Sequence, residues 1–316
     1  MGDISGSSIS TGSFGVMNKL KSDGIVLNPF TSSAASQETG SVVMDISDNS
    51  LRAFTGTWVK VKYSTMRPSP NQWCVDFDGI NDYATIGNAL QGTLQGGTFT
   101  FATWAKLDDW PPANNAGNEC TLWGTRADGS NQLFHRYTTA GQIDSEWRSE
   151  GADENTSIAS GSGQVGHVHG STPGWHHHAI AYRMGNAAIG KIQYWDGLPG
   201  LMTGATLGKA PQNYVSSQNI YVGARNNEGN AAYYFPGRIA EFAVWNTLLR
   251  PEAMWSIYNN GVPSDVTVEG GNYVGYTDNL ILYWQMEEGT STTLTDKVGN
   301  YNGTLVNSPT WASSDI

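Results

Sequence analysis

Short apolar runs of strand length are separated along most of the chain by Gly, Asn, Asp and Pro. They fall at 73–77, 83–86, 98–106, 121–124, 132–137, 143–147, 176–183, 191–195, 219–222 and 238–245. β-Branched and aromatic residues suit a pleated, half-buried surface, and the bounding residues supply the turns. Such spacing predicts an all-β domain of two antiparallel sheets. One helix is expected at 251–258, where Pro251 suits the first turn and Asn260-Gly261 provides a stop.

Two segments flank this pattern. Residues 1–66 form a Ser-, Gly- and Thr-rich arm with few large apolar residues before Val42. Alone, such a stretch buries too little surface to offset its chain entropy, so neighbouring subunits or another protein are expected to hold it. Within it, VVMDISDNSLRAFTGTWVKV predicts strands at 43–44, 51–54 and 58–61, giving an extended β-arm. Met66-Arg67-Pro68-Ser69-Pro70 reads as an extended linker between an attachment or oligomerisation arm, 1–66, and a sandwich, 67–316. Further strands within 280–311 are expected to complete the sandwich, because the first and last strands of such a fold can lie side by side.

Composition narrows the partners. The 38 Gly, 12 Trp and 14 Tyr among 316 residues fit many short strands joined by tight turns. Charged residues make up 14%, below the roughly 25% usual for soluble domains. The surface is therefore polar but sparsely charged, as in extracellular, fibre or capsid proteins. A net charge of −11 repels nucleic acid and anionic membranes alike. No run approaches the ~18 apolar residues that insertion across a bilayer requires. The opening MGDISGSSIS lacks the basic and apolar regions of a signal peptide, so release by lysis of the producing cell is expected rather than export. Cys74 and Cys120 are too few for a disulfide framework and are expected as buried thiols or as one bridge.

From Asp76 onward the segments DFDGINDYATIG, GTFTFATWAKL, GWHHHAIAYRMG, IQYWDG, NIYVGA and GRIAEFAVWNTLLRPEAMWSIYNNG follow in fixed order. That order resembles the laminin-G/pentraxin branch of the concanavalin A-like lectin and glucanase superfamily. The resemblance implies a jelly-roll sandwich with loops at a rim, and binding rather than catalysis. In many relatives a YW…EEG…PTW segment precedes the first of these strands, whereas here it follows the last. The strand-rich block of the arm resembles short β-units near the N-termini of phage tail-fibre and head-decoration proteins. SIYNNGVPSD followed by NLILYWQMEEG resembles lectin-like modules of phage structural proteins.

Four places invite chemistry. Gln142-Ile143-Asp144-Ser145-Glu146 resembles the E-x-D-x-E strand of laminarinase-type hydrolases, whose acids share one face because a strand has period two. Gln142 stands where that family carries its nucleophile, so carbohydrate contact through Asp144 and Glu146 is expected without hydrolysis, or else a plain polar strand. His167, His169 and His176-His177-His178 offer imidazoles for zinc but lack a constrained ligand spacing, and ordinary packing and hydrogen bonding is the expected role. Pentraxin-type members bind calcium with acids and amides of two rim loops, which implies Asp128 and Asn131 from one and Asn227 and Glu228 from the other. Arg225 falls where the family has a carboxylate. Asp76, Asp78, Asn81 and Asp82 form a further oxygen-rich set that also reads as turn chemistry. For sugar stacking, Trp110, Trp123 and Trp147 are the candidates, with Asn226 for hydroxyls.

These readings converge on a non-catalytic phage virion protein, a head-decoration or tail-fibre subunit. Its arm would join other virion proteins and its own copies as a trimer or capsid-symmetric set, and its sandwich would meet a cell-surface glycan. It would be assembled in the host cytoplasm and stand on the virion surface. An extracellular carbohydrate-binding adhesin and a polysaccharide-degrading hydrolase are the alternatives.

Overall fold

A computed structural model describes, with their side chains, residues 66–86, Leu90, Leu94, 98–108, 119–129, 131–138, 143–147, 174–183, 192–199 and 218–316. For 17–21, 24–27, 29–30, 42–45, 50–54, 58–60, 148–149, 152–156 and Lys191 it describes the backbone. The chain divides into two compact units, Met1–Ser64 and Thr65–Ile316. In the first, β1 (Met17–Lys21) and β2 (Gly24–Leu27) pair antiparallel. A second sheet runs β3 (Pro29–Phe30), β4 (Val42–Asp45), β5 (Ser50–Phe54), β6 (Trp58–Lys60), with only β3 and β4 parallel. The strands expected at 43–44, 51–54 and 58–61 are β4 to β6.

The second unit is a sandwich of two sheets. The ten-stranded sheet runs β13 (Ala152–Thr156), β12 (Ile143–Ser149), β11 (Asn131–Tyr137), β10 (Cys120–Asp128), β17 (Ile220–Val222), β8 (Tyr83–Ile86), β23 (Gly303–Val306), β22 (Thr293–Leu294). Beside β10, β18 (Arg225–Asn227) lies parallel, and β19 (Asn230–Ala232) pairs with β18. The eight-stranded sheet runs β16 (Leu198–Pro199), β15 (Lys191–Trp195), β14 (Trp175–Tyr182), β9 (Phe99–Leu107), β20 (Pro236–Trp245), β7 (Trp73–Asp78), β24 (Thr310–Ser313), and β21 (Leu280–Trp284) pairs with β20. Strands β21 to β24 thus contribute to both layers.

Alternation along each strand puts one set of side chains between the sheets. Phe101 of β9 stacks on Trp123 of β10 with ring centroids 4.2 Å apart, and Phe99 stacks on Trp147 of β12 at 4.8 Å. These pairs tie one layer to the other. Trp284 of β21 enters the same core, and Gly303 of β23 passes over its indole so closely that a Cβ would lie 2.5 Å from the ring. Gly303→Ala is therefore expected to cost about 1–3 kcal/mol through overpacking, read as a lower urea midpoint. An unchanged midpoint would show that the C-terminal strand does not sit on that ring.

The other face of the eight-stranded sheet carries small residues, Ala102, Ala179, Ala181 and Ala243. Their size lets helix α1 (Pro251–Tyr258) and Tyr273 pack closely, with Met254 and Ile257 buried. Pro251 opens the helix, and Asn259 and Asn260 end it in the left-handed region at φ 49° and 56°. Residues 66–70, expected as a linker, are pinned to this unit. The Ser69 amide donates to the Pro263 carbonyl and the Asp265 amide to the Arg67 carbonyl, each at 2.8 Å, while Met66 is buried. Both cysteines are buried free thiols. Among the described residues no helix is long and apolar enough to cross a membrane.

Candidate functional site

Along β11, Leu133, His135 and Tyr137 face the core, so Gln132, Phe134 and Arg136 face the other way. Register across four strands sets Arg225, Gly124, Phe134 and Glu146 in one row, with Thr121, Arg136 and Asp144 in the next. The outer face of the ten-stranded sheet therefore concentrates charge around one aromatic ring.

Arg136 is the hub of that face. Its guanidinium donates to Asp144 Oδ2 from Nε at 3.0 Å and from Nη2 at 2.9 Å, and to Glu119 Oε2 from Nη1 at 2.5 Å. Burial opposes its charge, but Asp144 and Glu119 outweigh burial and hold its pKa above the ordinary guanidinium value. Its Cζ lies 4.7 Å from the Phe134 centroid. Glu146 accepts a hydrogen bond from Gln132 Nε2. Arg225 approaches the same Phe134 ring at 4.9 Å and lies 3.8 Å from the centroid of Tyr233. Gly124 forms the floor between them. A Cβ there would meet the Cβ of Phe134 at 2.4 Å.

Behind this face, inside the sandwich, runs a polar chain. Ser145 Oγ lies 2.6 Å from His135 Nδ1, His135 Nε2 is 3.3 Å from His178 Nδ1, and His178 Nε2 is 3.2 Å from the Tyr137 hydroxyl. The Ser–His contact has the atoms of a nucleophile and its base, but both residues are at most 1% exposed. Without access for substrate the chain satisfies buried polar groups instead of performing acyl transfer.

The family model for the concanavalin A-like lectin/glucanases superfamily matches residues 78–255, more than half of the chain. The chain belongs to this superfamily. A solved structure of a candidate carbohydrate binding protein from Bacteroides ovatus ATCC 8483 aligns at a TM-score of 0.50 and 17% identity. The alignment covers 80% of this chain and 61% of that one, so the chain spans less than two thirds of that protein's length. The SAP-like pentraxin of Limulus polyphemus aligns at 0.38 and 10% identity, covering 67% and 91% of the two chains. The CBM40 of the Ruminococcus gnavus IT-sialidase, solved with α2,3-sialyllactose, aligns at 0.39 and 17%, covering 58% and 97%. No curated protein matches the chain. At these identities the likeness is one of fold.

In this concanavalin A-like domain the residues singled out from sequence have varied surroundings. Asp144 and Glu146 do share one outward face, but they are 1% and 3% exposed and held by Arg136 and Gln132, so they are not an open polar strand. Trp123 and Trp147 are not on that face. Each is 1% exposed and stacked in the core, which corrects the expectation that they meet sugar. Asn226 is also buried. Its amide donates to the Asn219 carbonyl and its Oδ1 accepts from the Gly229 amide, each at 2.9 Å, so it braces a turn rather than facing ligand. Trp110, Gln142, His167 and His169 lie outside the described residues.

The rim loops set Asp128 beside Asn131 and Asn227 beside Glu228, with Arg126 on the second pair. Its Nη1 donates to Asn227 Oδ1 at 3.0 Å and pairs with Glu228 Oε1 at 3.1 Å, while Asn131 Nδ2 lies 3.2 Å from Asp128 Oδ2. Calcium needs six to eight oxygens. Here a guanidinium already takes an oxygen each of Asn227 and Glu228, and this donor set does not fit the ion. Asp78 Oδ1 accepts from the amides of Ile80, Asn81 and Asp82 at 2.8, 3.0 and 3.3 Å, which is turn capping. Those amides outweigh burial and hold its pKa below the carboxylate value. His176 pairs with Asp196 at 2.9 Å, and His177 is buried between Trp104 and Tyr258. The three histidines of β14 are thus spread over both its faces, and among the described residues no group of three or more His, Cys, Asp or Glu could hold a metal.

Sequence reading passed over Arg136, Phe134, Glu119 and Tyr233. The signal available was Arg225, a cation at a position where the family carries an acid.

Proposed function

We propose that the second unit is a non-catalytic carbohydrate-binding module that receives glycan on the outer face of the ten-stranded sheet. The observation that carries this reading is the outer face of a lectin-like sandwich on which half-buried Tyr233 lies over the Arg225 guanidinium, with half-buried Arg136 and Glu119 on the same face, an aromatic ring with planar polar groups beside it. Sugar recognition needs both, because a pyranose has an apolar face and a polar rim. The candidate carbohydrate binding protein of Bacteroides ovatus shares the fold, which agrees with this reading. Absence of turnover follows from the carboxylates. A retaining hydrolase needs one as nucleophile and one as acid, about 5–5.5 Å apart. Gln142 is an amide, Asp144 is neutralised by Arg136, and Glu146 is bonded to Gln132.

The first unit is proposed to join the module to a virion as a head-decoration or tail-fibre subunit, assembled in symmetric copies. Sparse surface charge and the β-units of residues 42–60 support that role. Binding of the whole protein to an array of bacterial and algal glycans, with reducing-sugar release followed on the same panel, tests the module. Retention without release is expected, and release from any of the glycans would overturn the non-catalytic reading. Removal of 1–64, the cut that leaves Met66 in its pocket, is expected to leave glycan binding intact and abolish incorporation into particles. A truncated chain that still joins particles would remove the role given to the first unit.

A further inference from the structure

Among the described arginines of the outer face, all but one are paired with a carboxylate. Arg136 has Asp144 and Glu119, and Arg126 has Glu228. Arg225 has no hydrogen bond or ion pair among the described residues, although it is only 6% exposed and its Nε is buried without an acceptor. A guanidinium removed from water without an anion is costly, and natural folds pair such groups. Its plane is nevertheless fixed, because Tyr233 at 3.8 Å and Phe134 at 4.9 Å flank it. Stacked on its faces, a guanidinium keeps its edges for in-plane acceptors, and a carboxylate matches that fork with two parallel hydrogen bonds.

We infer that Arg225 is the docking point for a carboxylate carried by the bound glycan, so that the module selects acidic sugars such as hexuronates or nonulosonates over neutral ones. The inference rests on the glycan reading above and specifies its ligand. A second unsatisfied atom lies on the same face. Asp144 Oδ1 is buried without a donor, while its Oδ2 is taken by Arg136, so it suits a sugar hydroxyl. A sugar supplies a hydroxyl donor of that kind, whereas sulfate does not. Burial lowers the Arg225 pKa, and the charges of Arg136 and Arg126 lower it further against the opposing pull of Tyr233 and Glu119. An arriving anion would relieve that deficit.

The test uses the full-length protein and calorimetric titration with matched probes. These are oligogalacturonate beside its fully methyl-esterified form, N-acetylneuraminate beside its methyl ester, the neutral glycans retained on the array, and sodium acetate and sulfate as sugar-free anions. The free acids are expected to bind at least tenfold tighter than their esters. Arg225→Met is expected to abolish that preference without lowering the melting temperature, since it removes an unpaired buried charge. Arg225→Lys, which keeps the charge but not the fork, is expected to retain only part of the preference, and it serves as the readout should the methionine variant fail to fold. Equal binding of acids and esters, or a preference that survives both substitutions, would overturn the inference while leaving the glycan reading standing. Acetate or sulfate binding as tightly as the uronate would also overturn it, in favour of a simple anion site. Failure to retain any glycan, acidic or neutral, would remove the glycan reading itself.

Discussion

Trp123→Ala is expected to destabilise the sandwich by about 3–5 kcal/mol, the cost of deleting a large aromatic from a core that cannot collapse around the gap. The indole is 1% exposed, stacks on Phe101 of the opposite sheet at 4.2 Å, and lies nearly parallel to His135 at 5.9 Å. Removing it opens a cavity where the two layers are joined and strips one wall from the buried polar chain that runs from Ser145 to Tyr137. Glycan affinity per folded molecule is expected to stay unchanged, because the ring points away from Phe134 and Arg225. Chemical denaturation together with titration of the folded variant separates the two quantities. A variant with wild-type stability and lost binding would put Trp123 on the ligand face.

The contrast between Trp123 and Phe134 shows where sequence reading stops. Period-two alternation assigns neighbours on a strand to opposite faces, but it does not say which face meets the other sheet. Most strand positions were legible because apolar runs and turn residues bound them. Helix α1 occupies 251–258, β8 occupies 83–86 and β15 occupies 191–195, as expected from the chain. Strand β10 runs on to Asp128, four residues past the expected end at Gly124. Its last residues are Thr125-Arg126-Ala127-Asp128, whose polarity reads as a loop although they pair with β11 and β18.

Strand β18 was harder still. Arg225-Asn226-Asn227 has no apolar alternation, and its parallel pairing to a strand a hundred residues earlier is set by tertiary closure alone. For that reason the segment read as half of a calcium loop. The same non-local pairing carries Arg225 toward Phe134 and sets Arg126 against Asn227 and Glu228. A local reading of oxygen ligands could not anticipate a guanidinium arriving from the adjacent strand, and the candidate site was correspondingly less legible than the fold.

The second large effect concerns Glu241, at the bulge where the β20–β9 register shifts between Ala240 and Ala243. Its φ of 56° is unusual for a residue with a side chain, and its carboxyl is buried with the Ser69 and Tyr283 hydroxyls as hydrogen-bond partners. Burial raises its pKa from 4.5 to about 8, with Ser69 and Tyr283 opposing and Glu287 and Asp265 adding to the rise. Between those two pH values the folded state holds a proton that the unfolded chain has lost, so stability falls as pH rises through the window. His177 acts in the opposite sense. Burial lowers its pKa from 6.5 to about 4 against the pull of Asp196, so its contribution grows as pH rises from 4 to 6.5. The two slopes oppose each other up to about pH 6.5, and above it only the loss from Glu241 remains. Glu241→Gln keeps a donor and an acceptor for the two hydroxyls but cannot ionise. The variant is expected to hold its stability between about pH 6.5 and 8, where the wild type loses on the order of 2 kcal/mol at about 1.4 kcal/mol per unit. Urea midpoints of both proteins at the two ends of that range measure the difference. Parallel profiles would mean that the carboxyl of Glu241 is not the group that carries the extra proton.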